Sequence, residues 1–396
     1  MMEAHQSTAP VRNPGIDLLR GVSILLVVMH HIGLRIPLKE GVLASFVPKR
    51  LLNALIYNGY EAVFIFFVIS GFLITSNALS RWGKLSSIDV KAFYARRASR
   101  ILPCLLVLVA VLCALHLLGV ERYVISRAGQ SLPRAILSAL GLHLNWYEGR
   151  TGYLPGNWDV LWSLSIEEVF YLCFPLVCLG LRKQSLLVIA LMLLALSLPL
   201  SRAALESNEI WQEKAYLPGM AGIAMGVLGA LVAARFRPKK QWTFVLLCLL
   251  GTLGIVTVLC FEGLIWPWIG NGAMLLLTFS SLTLVVALHW QASGANPWEI
   301  QGTGWLRSFG RLSYEVYLTH MFIVWPVFGA FKAGVIDARW GFLWYVPGVA
   351  AAWLLGWVVA RFLSIPSERI LRRRLMPTKQ PQRASTTADE PAYGFQ

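Results

Sequence analysis

The sequence predicts an all-α fold, a polytopic transmembrane helix bundle, and three observations carry that prediction. Hydrophobic residues make up 57% of the 396 positions and charged residues only 14%, with a mean hydropathy of +0.61, far from the balance of a soluble domain. Apolar runs of about 20 residues, enough to cross a bilayer, recur along almost the whole chain, and no stretch between them is long enough for a separate soluble domain. Basic residues are also sorted by side. With the N-terminus inside, 21 of the 35 Lys and Arg fall in inner segments, 12 in outer segments, and Arg20 and Arg361 within spans. That bias is the positive-inside pattern, and basic loops facing anionic lipid explain the +15 formal charge without nucleic acid.

About ten spans are expected, at residues 16–34, 58–79, 101–119, 160–181, 184–201, 217–234, 242–261, 265–288, 311–333 and 341–364. An even count puts both termini in the cytoplasm. Residues 132–144 are apolar but too short to cross, and read as a re-entrant or interfacial helix. Residues 1–15 have no signal-peptide design, so they read as a short cytoplasmic segment ahead of an uncleaved first span. The membrane domain then covers 16–375, and the polar, Pro-containing residues 376–396 read as a disordered cytoplasmic tail. Cys104, Cys113, Cys173, Cys178, Cys248 and Cys260 lie in apolar segments without metal or redox spacing, and read as small core residues. No internal repeat suggests the inverted halves of a transporter.

The first span carries charge. Arg20 and His31 are eleven positions apart, which at about 100° per residue returns them to one face, roughly 16 Å apart. Asp17, three residues before Arg20, can share that side. Such groups are costly in hydrocarbon, which makes an intramembrane site the default reading; the plain alternative is snorkelling to the two interfaces.

Three later segments carry further candidates. Before the expected third span stand Arg96, Arg97 and Arg100; guanidinium forks suit phosphate oxygens and a helix start adds donors, although a positive-inside anchor is the commoner use of such a cluster. In the fourth span, Glu167 and Glu168 cannot both face lipid, and Glu167 shares a face with Tyr171. Glu167 is expected at the depth of His31, where a carboxylate would fix the imidazole tautomer and raise its basicity; a structural pairing with a cation is the alternative. In the ninth, Ser313, Tyr317 and His320 line up at four- and three-residue spacing as a polar stripe, which is either helix-packing glue or part of a site. Ser70-Gly71 in the second span permits close helix approach, and His116 and His143 read as structural.

These segments together resemble the integral-membrane acyltransferase family 3, the bacterial O-acyltransferases of surface polysaccharides, peptidoglycan and related acceptors. The resemblance runs through Leu19-Arg20-Gly21 with His31, the stretch Phe66 to Ile74, and Arg97-Ala98-Ser99-Arg100-Ile101-Leu102-Pro103. It continues in Trp162-Ser163-Leu164-Ser165-Ile166-Glu167-Glu168 with Phe170-Tyr171, and in Ser313-Tyr314 with Tyr317-Leu318-Thr319-His320, so that it covers residues 15 to 365. It implies a bacterial inner-membrane enzyme with a cytoplasmic acyl-CoA donor, acetyl-CoA foremost, no metal, and an acceptor hydroxyl on the outer side. The family's essential histidine falls on His31, its first-helix arginine on Arg20, and its Arg-x-x-Arg on Arg97 and Arg100, which are preferred over Arg96 for the donor phosphates. Many relatives carry an added esterase-like domain; nothing in this sequence is expected to encode one, so the chain would acylate its acceptor directly or hand over to another protein.

The expected mechanism has donor phosphates on Arg97, Arg100 and Arg20, and the thioester beside His31. His31, oriented by Glu167, removes the acceptor's hydroxyl proton, or is itself acylated first. Asp17, Ser70, Tyr171, Ser313, Tyr317 and His320 support the site. The acceptor is a glycan, a lipid-linked sugar or another hydroxyl compound, chosen by the outer loops 35–57, 120–159 and 202–216, where Trp146, Tyr147, Tyr153 and Trp158 offer stacking surfaces. The rival reading is a proton-coupled transporter or flippase, which a polar ten-helix bundle would serve equally well.

Overall fold

A computed structural model describes residues 12–294, 301–334 and 337–376. Most of the expected tail and of the N-terminal segment lie outside these residues. Among the described residues the chain is helical and without strands, as a backbone in hydrocarbon must be to satisfy its own hydrogen bonds.

Helix α1 (Pro14–Gly33) starts on Asn13, whose side-chain oxygen accepts from the N–H groups of Gly15 (3.0 Å) and Ile16 (3.1 Å), with Pro14 in the first turn. A short helix α2 (Lys49–Tyr57) leads into α3 (Gly59–Trp82). Helix α4 (Val90–Leu117) begins eleven residues before the expected span, because Asp89 caps it by accepting from Ala92 N at 3.0 Å. Arg96, Arg97 and Arg100 therefore lie in its second and third turns, and the expected helix-start donors are not beside them.

Three short helices follow: α5 (Leu132–Leu140) in the expected re-entrant piece, α6 (Leu144–Thr151) and α7 (Gly156–Asp159). Next come α8 (Leu161–Gly180), α9 (Gln184–Leu196), α10 (Leu198–Ala203), α11 (Glu209–Lys214) and α12 (Tyr216–Arg235). Helix α13 (Gln241–Ile269) runs through the boundary expected at residues 262–264: Phe261 only kinks it, with φ −129° and ψ 17°. The turn falls instead at Gly270, whose φ of +46° suits glycine, and α14 (Gly272–Ala292) returns.

After α15 (Gly304–Arg311), the expected ninth span 311–333 is broken into α16 (Ser313–Thr319) and α17 (Met321–Lys332), with interruptions at Leu312 and His320. Helix α18 (Tyr345–Val359) continues through a π-helical turn, Ala360–Ser364, into α19 (Ile365–Leu375). Among the described residues eight stretches are long and apolar enough to cross a membrane, and the shorter apolar helices α9 and α17 lie in the fifth and ninth expected positions. The protein is a multi-pass membrane protein of about ten spans.

Small residues decide where the helices touch. A Cβ on Gly71 of α3 would overlap the Ile223 carbonyl of α12, and one on Gly226 of α12 would overlap the Val68 carbonyl of α3. The close approach expected at Ser70-Gly71 is thus present, as is usual where helices pack without a hydrophobic drive. Gly21 of α1 and Gly310 of α15 do the same against Leu306 and Asp17. The cysteine reading holds for Cys104 and Cys178, which are buried, but Cys173 is exposed on the outside of the bundle. His116 is structural: its Nδ1 accepts from Ile125 N at 3.0 Å.

Candidate active site

A cavity of about 410 Å³ opens between α1, α3, α4, α8 and α16. It follows α3 from Val63 to Arg81, about 27 Å at helical rise, which is close to the thickness of the hydrocarbon core. At one end it is lined by Arg81, Arg96, Arg100, Arg372 and Glu368; at the other by Ser163 and Tyr317. Between them stand Arg20, Ser70, Arg97, Glu167 and Ser313. Seven of the expected site residues therefore meet: Arg20, Ser70, Arg97, Arg100, Glu167, Ser313 and Tyr317.

Helix positions explain the convergence. Arg20 leaves α1 toward the cavity and its Nη2 donates to Ser313 Oγ at 2.7 Å, at the break that opens α16. Asp17 is engaged elsewhere, by Arg12 at 2.8 Å. Arg97 donates to Glu168 Oε1 at 2.9 Å and stacks its guanidinium 3.8 Å from the Tyr171 ring centre. The hydroxyls of Tyr171 and Ser70 are in direct contact, and Ser70 Oγ donates to Glu167 Oε2 at 3.3 Å.

Two expectations change. Glu167 does not reach His31: it lies six residues into α8, about 9 Å along it, and meets Ser70, eleven residues into α3. His31 stands near the opposite end of α1, two residues before that helix ends. The preference for Arg97 over Arg96 also shifts. Arg97 is already neutralised by Glu168 and leaves its Nε buried without a hydrogen-bond partner, whereas Arg96 leaves both Nε and Nη1 so and has no ion pair among the described residues.

The ring beside His31 is His320, with centroids 5.0 Å apart. His320 is fully buried, and its Nδ1 faces the carbonyl oxygens of Tyr317 (2.8 Å) and Val316 (3.2 Å). Carbonyls only accept, so Nδ1 is assigned the proton and Nε2 is left with its lone pair. Nε2 has no partner. His30 is tied down differently: its Nδ1 pairs with the Ile56 carbonyl at 2.7 Å, and its ring packs against Gly59. That leaves His31 as the free member of the doublet.

The cavity ends one side chain short of this imidazole pair. Ser163 Oγ donates to Tyr317 Oη at 2.8 Å at that end of the cavity, and the Tyr317 ring lies 6.0 Å from His320. Polar lining residues that sequence reasoning did not assign to the site include Ser163, Tyr314, Arg81, Asn77, Glu368 and Arg372. The last two sit on α19, which packs back on α4; their charge was legible, their return to the bundle was not. Among the described residues no group of three or more His, Cys, Asp or Glu side chains converges as a metal set.

The profile of a protein family described as an acyltransferase domain matches residues 13–361. The chain belongs to this acyltransferase family. It is similar to the O-acetyltransferase OatA of Staphylococcus aureus strain MRSA252, with 25% identity over 94% of this chain and 60% of that one. It is also similar to the peptidoglycan O-acetyltransferase OatA of Listeria monocytogenes, with 24% identity over 89% of this chain and 55% of that one. The chain thus spans little more than half the length of these relatives. No solved structure matches it. The chain's own long apolar helices and its bacterial relatives support a multi-pass bacterial membrane protein.

Proposed function

We propose that this chain is a membrane O-acyltransferase that moves an acyl group, acetyl foremost, from acyl-CoA at the cytoplasmic end to a hydroxyl of a glycan or similar acceptor at the outer end. One observation carries the reading: a membrane-deep cavity leads from an arginine-lined mouth to within one side chain of a buried imidazole pair.

The arginine mouth suits the donor's phosphates. Arg96, Arg100, Arg81 and Arg372 surround it, and the single carboxylate lining that end, Glu368, leaves it cationic. The pantetheine arm then follows α3, past Leu73 and Ile74, and brings the thioester to Tyr317 and Ser163. His31, with His320 as its neighbour in place of Glu167, takes the acceptor's hydroxyl proton. The oxygen attacks the thioester carbonyl, the carbon–sulfur bond breaks, and the thiolate takes the proton that His31 accepted and leaves as coenzyme A thiol, returning His31 to its neutral form. Arg97, Glu168, Tyr171, Ser70 and Glu167 hold α3, α4 and α8 around the arm.

The test is thiol release by the purified protein with acetyl-CoA and candidate glycan acceptors. Acceptor-dependent release that is lost in His31→Ala, with donor binding retained, supports the proposal. Substrate accumulation in vesicles without any free coenzyme A assigns the bundle to transport.

A further inference from the structure

Beside the imidazole pair, at the end of the bundle away from the arginine mouth, stands a cationic feature that the proposed mechanism does not use. Arg35 lies one turn past His31 and its Nη1 donates to the His31 carbonyl at 2.7 Å. Its guanidinium carbon is 4.1 Å from the Trp325 ring centre. Arg122, just beyond the end of α4, lies 4.7 Å from the same ring and 5.2 Å from Phe328. Trp325 is itself fixed, since its Nε1 donates to Asn157 Oδ1 at 3.1 Å.

Two guanidinium groups thus share one indole, and among the described residues neither makes an ion pair. Two of the carboxylates at this end of the bundle are held by Lys214. Glu148 accepts from Lys214 at 3.0 Å and from Leu154 N at 2.9 Å, and Asp159 accepts from Lys214. Two donor atoms in the cluster, Nε of Arg35 and Nδ2 of Asn157, are buried with no hydrogen-bond partner among the described residues.

We propose that Arg35, Arg122 and Asn157 form an oxyanion subsite that takes a carboxylate carried by the glycan acceptor. Stacking on Trp325 occupies one face of each guanidinium and leaves its N–H edge for bidentate contact with a planar carboxylate. Two like charges held near each other favour an anion between them. Because Arg35 is anchored to the His31 carbonyl, an acid group bound there sets a neighbouring hydroxyl within reach of the imidazole pair. Acidic sugars are therefore selected over neutral ones. The word acceptor rests on the function proposed above, but the subsite is tested by binding alone, without donor or turnover.

The experiment is calorimetric titration of the full chain in an uncharged detergent with oligogalacturonate and with its methyl ester. The acid is expected to bind at least about ten-fold tighter than the ester, as one charge-assisted contact allows, and the difference to shrink in high salt. Arg122→Gln and Arg35→Gln should each cost about ten-fold on the acid and nothing on the ester. Arg35 holds the His31 carbonyl and carries a buried Nε, and among the described residues Arg122 makes no such bond, so Arg122→Gln carries the test if Arg35→Gln does not fold. Equal binding of acid and ester, or acid binding unchanged in Arg122→Gln, overturns the proposal. Loss of acid binding on adding phosphatidylglycerol, with ester binding intact, assigns the subsite to a lipid headgroup and overturns the glycan assignment.

Discussion

Replacing Arg97 with Ala separates a structural role for this residue from donor binding. Its ion pair with Glu168 is 2.9 Å long, and the two side chains are only 21% and 13% exposed. Removing one partner of a buried pair costs about 3–5 kcal/mol; discounting for the partial exposure leaves about 2–3 kcal/mol. Loss of the stack on Tyr171, 3.8 Å away, adds about 1 kcal/mol. Arg97→Ala should therefore lose about 3–4 kcal/mol in reversible unfolding in mild detergent. The double variant Arg97→Met/Glu168→Leu, which leaves no orphaned charge, should recover most of it. Donor KM, read by thiol release, should rise less in that double variant than in Arg96→Gln. If Arg97→Ala unfolds within about 0.5 kcal/mol of the parent while donor KM rises ten-fold or more, the ion pair is not what Arg97 is for, and the phosphate role implied by the Arg-x-x-Arg resemblance stands.

Other outcomes follow from the same geometry. Arg96→Gln and Arg372→Gln should each raise donor KM about ten-fold through a lost charge-assisted contact, with unfolding unchanged, as initial rates against acetyl-CoA would show. His31→Ala should lower kcat by about 10²–10⁴ while equilibrium donor binding persists. His320→Asn, which keeps a side-chain donor for the Val316 and Tyr317 carbonyls, should lower kcat without moving donor KM; an unaltered kcat and pH–rate profile would remove His320 from the mechanism. Gly310→Ala forces a methyl into the Asp17 carbonyl and should destabilise by about 1–3 kcal/mol, measured by thermal unfolding, with Ala at the open Gly329 as the comparison.

The sequence by itself determined the membrane class and the approximate number of crossings, and it singled out Arg20, Ser70, Arg97, Arg100, Glu167, Ser313 and Tyr317, which line one cavity. Hydropathy and helical phase are properties of neighbouring positions, and they were enough to put Arg20 and His31 on one face of α1 and to single out the stripe of Ser313, Tyr317 and His320. They also located Ser70-Gly71 as a close-packing point, because only a missing side chain lets α12 approach there. The tertiary structure alone decided partnership. Which residue of one helix faces which residue of another depends on how the helices pack, and that packing is why Glu167 meets Ser70 and His320 becomes the neighbour of His31. A kink at Phe261 and a turn at Gly270 look alike in a hydropathy trace, since both lie in one apolar run. The return of α19 to the arginine mouth, and the stacking of Arg35 and Arg122 on one tryptophan, are contacts between helices far apart in the chain, and no local pattern records them.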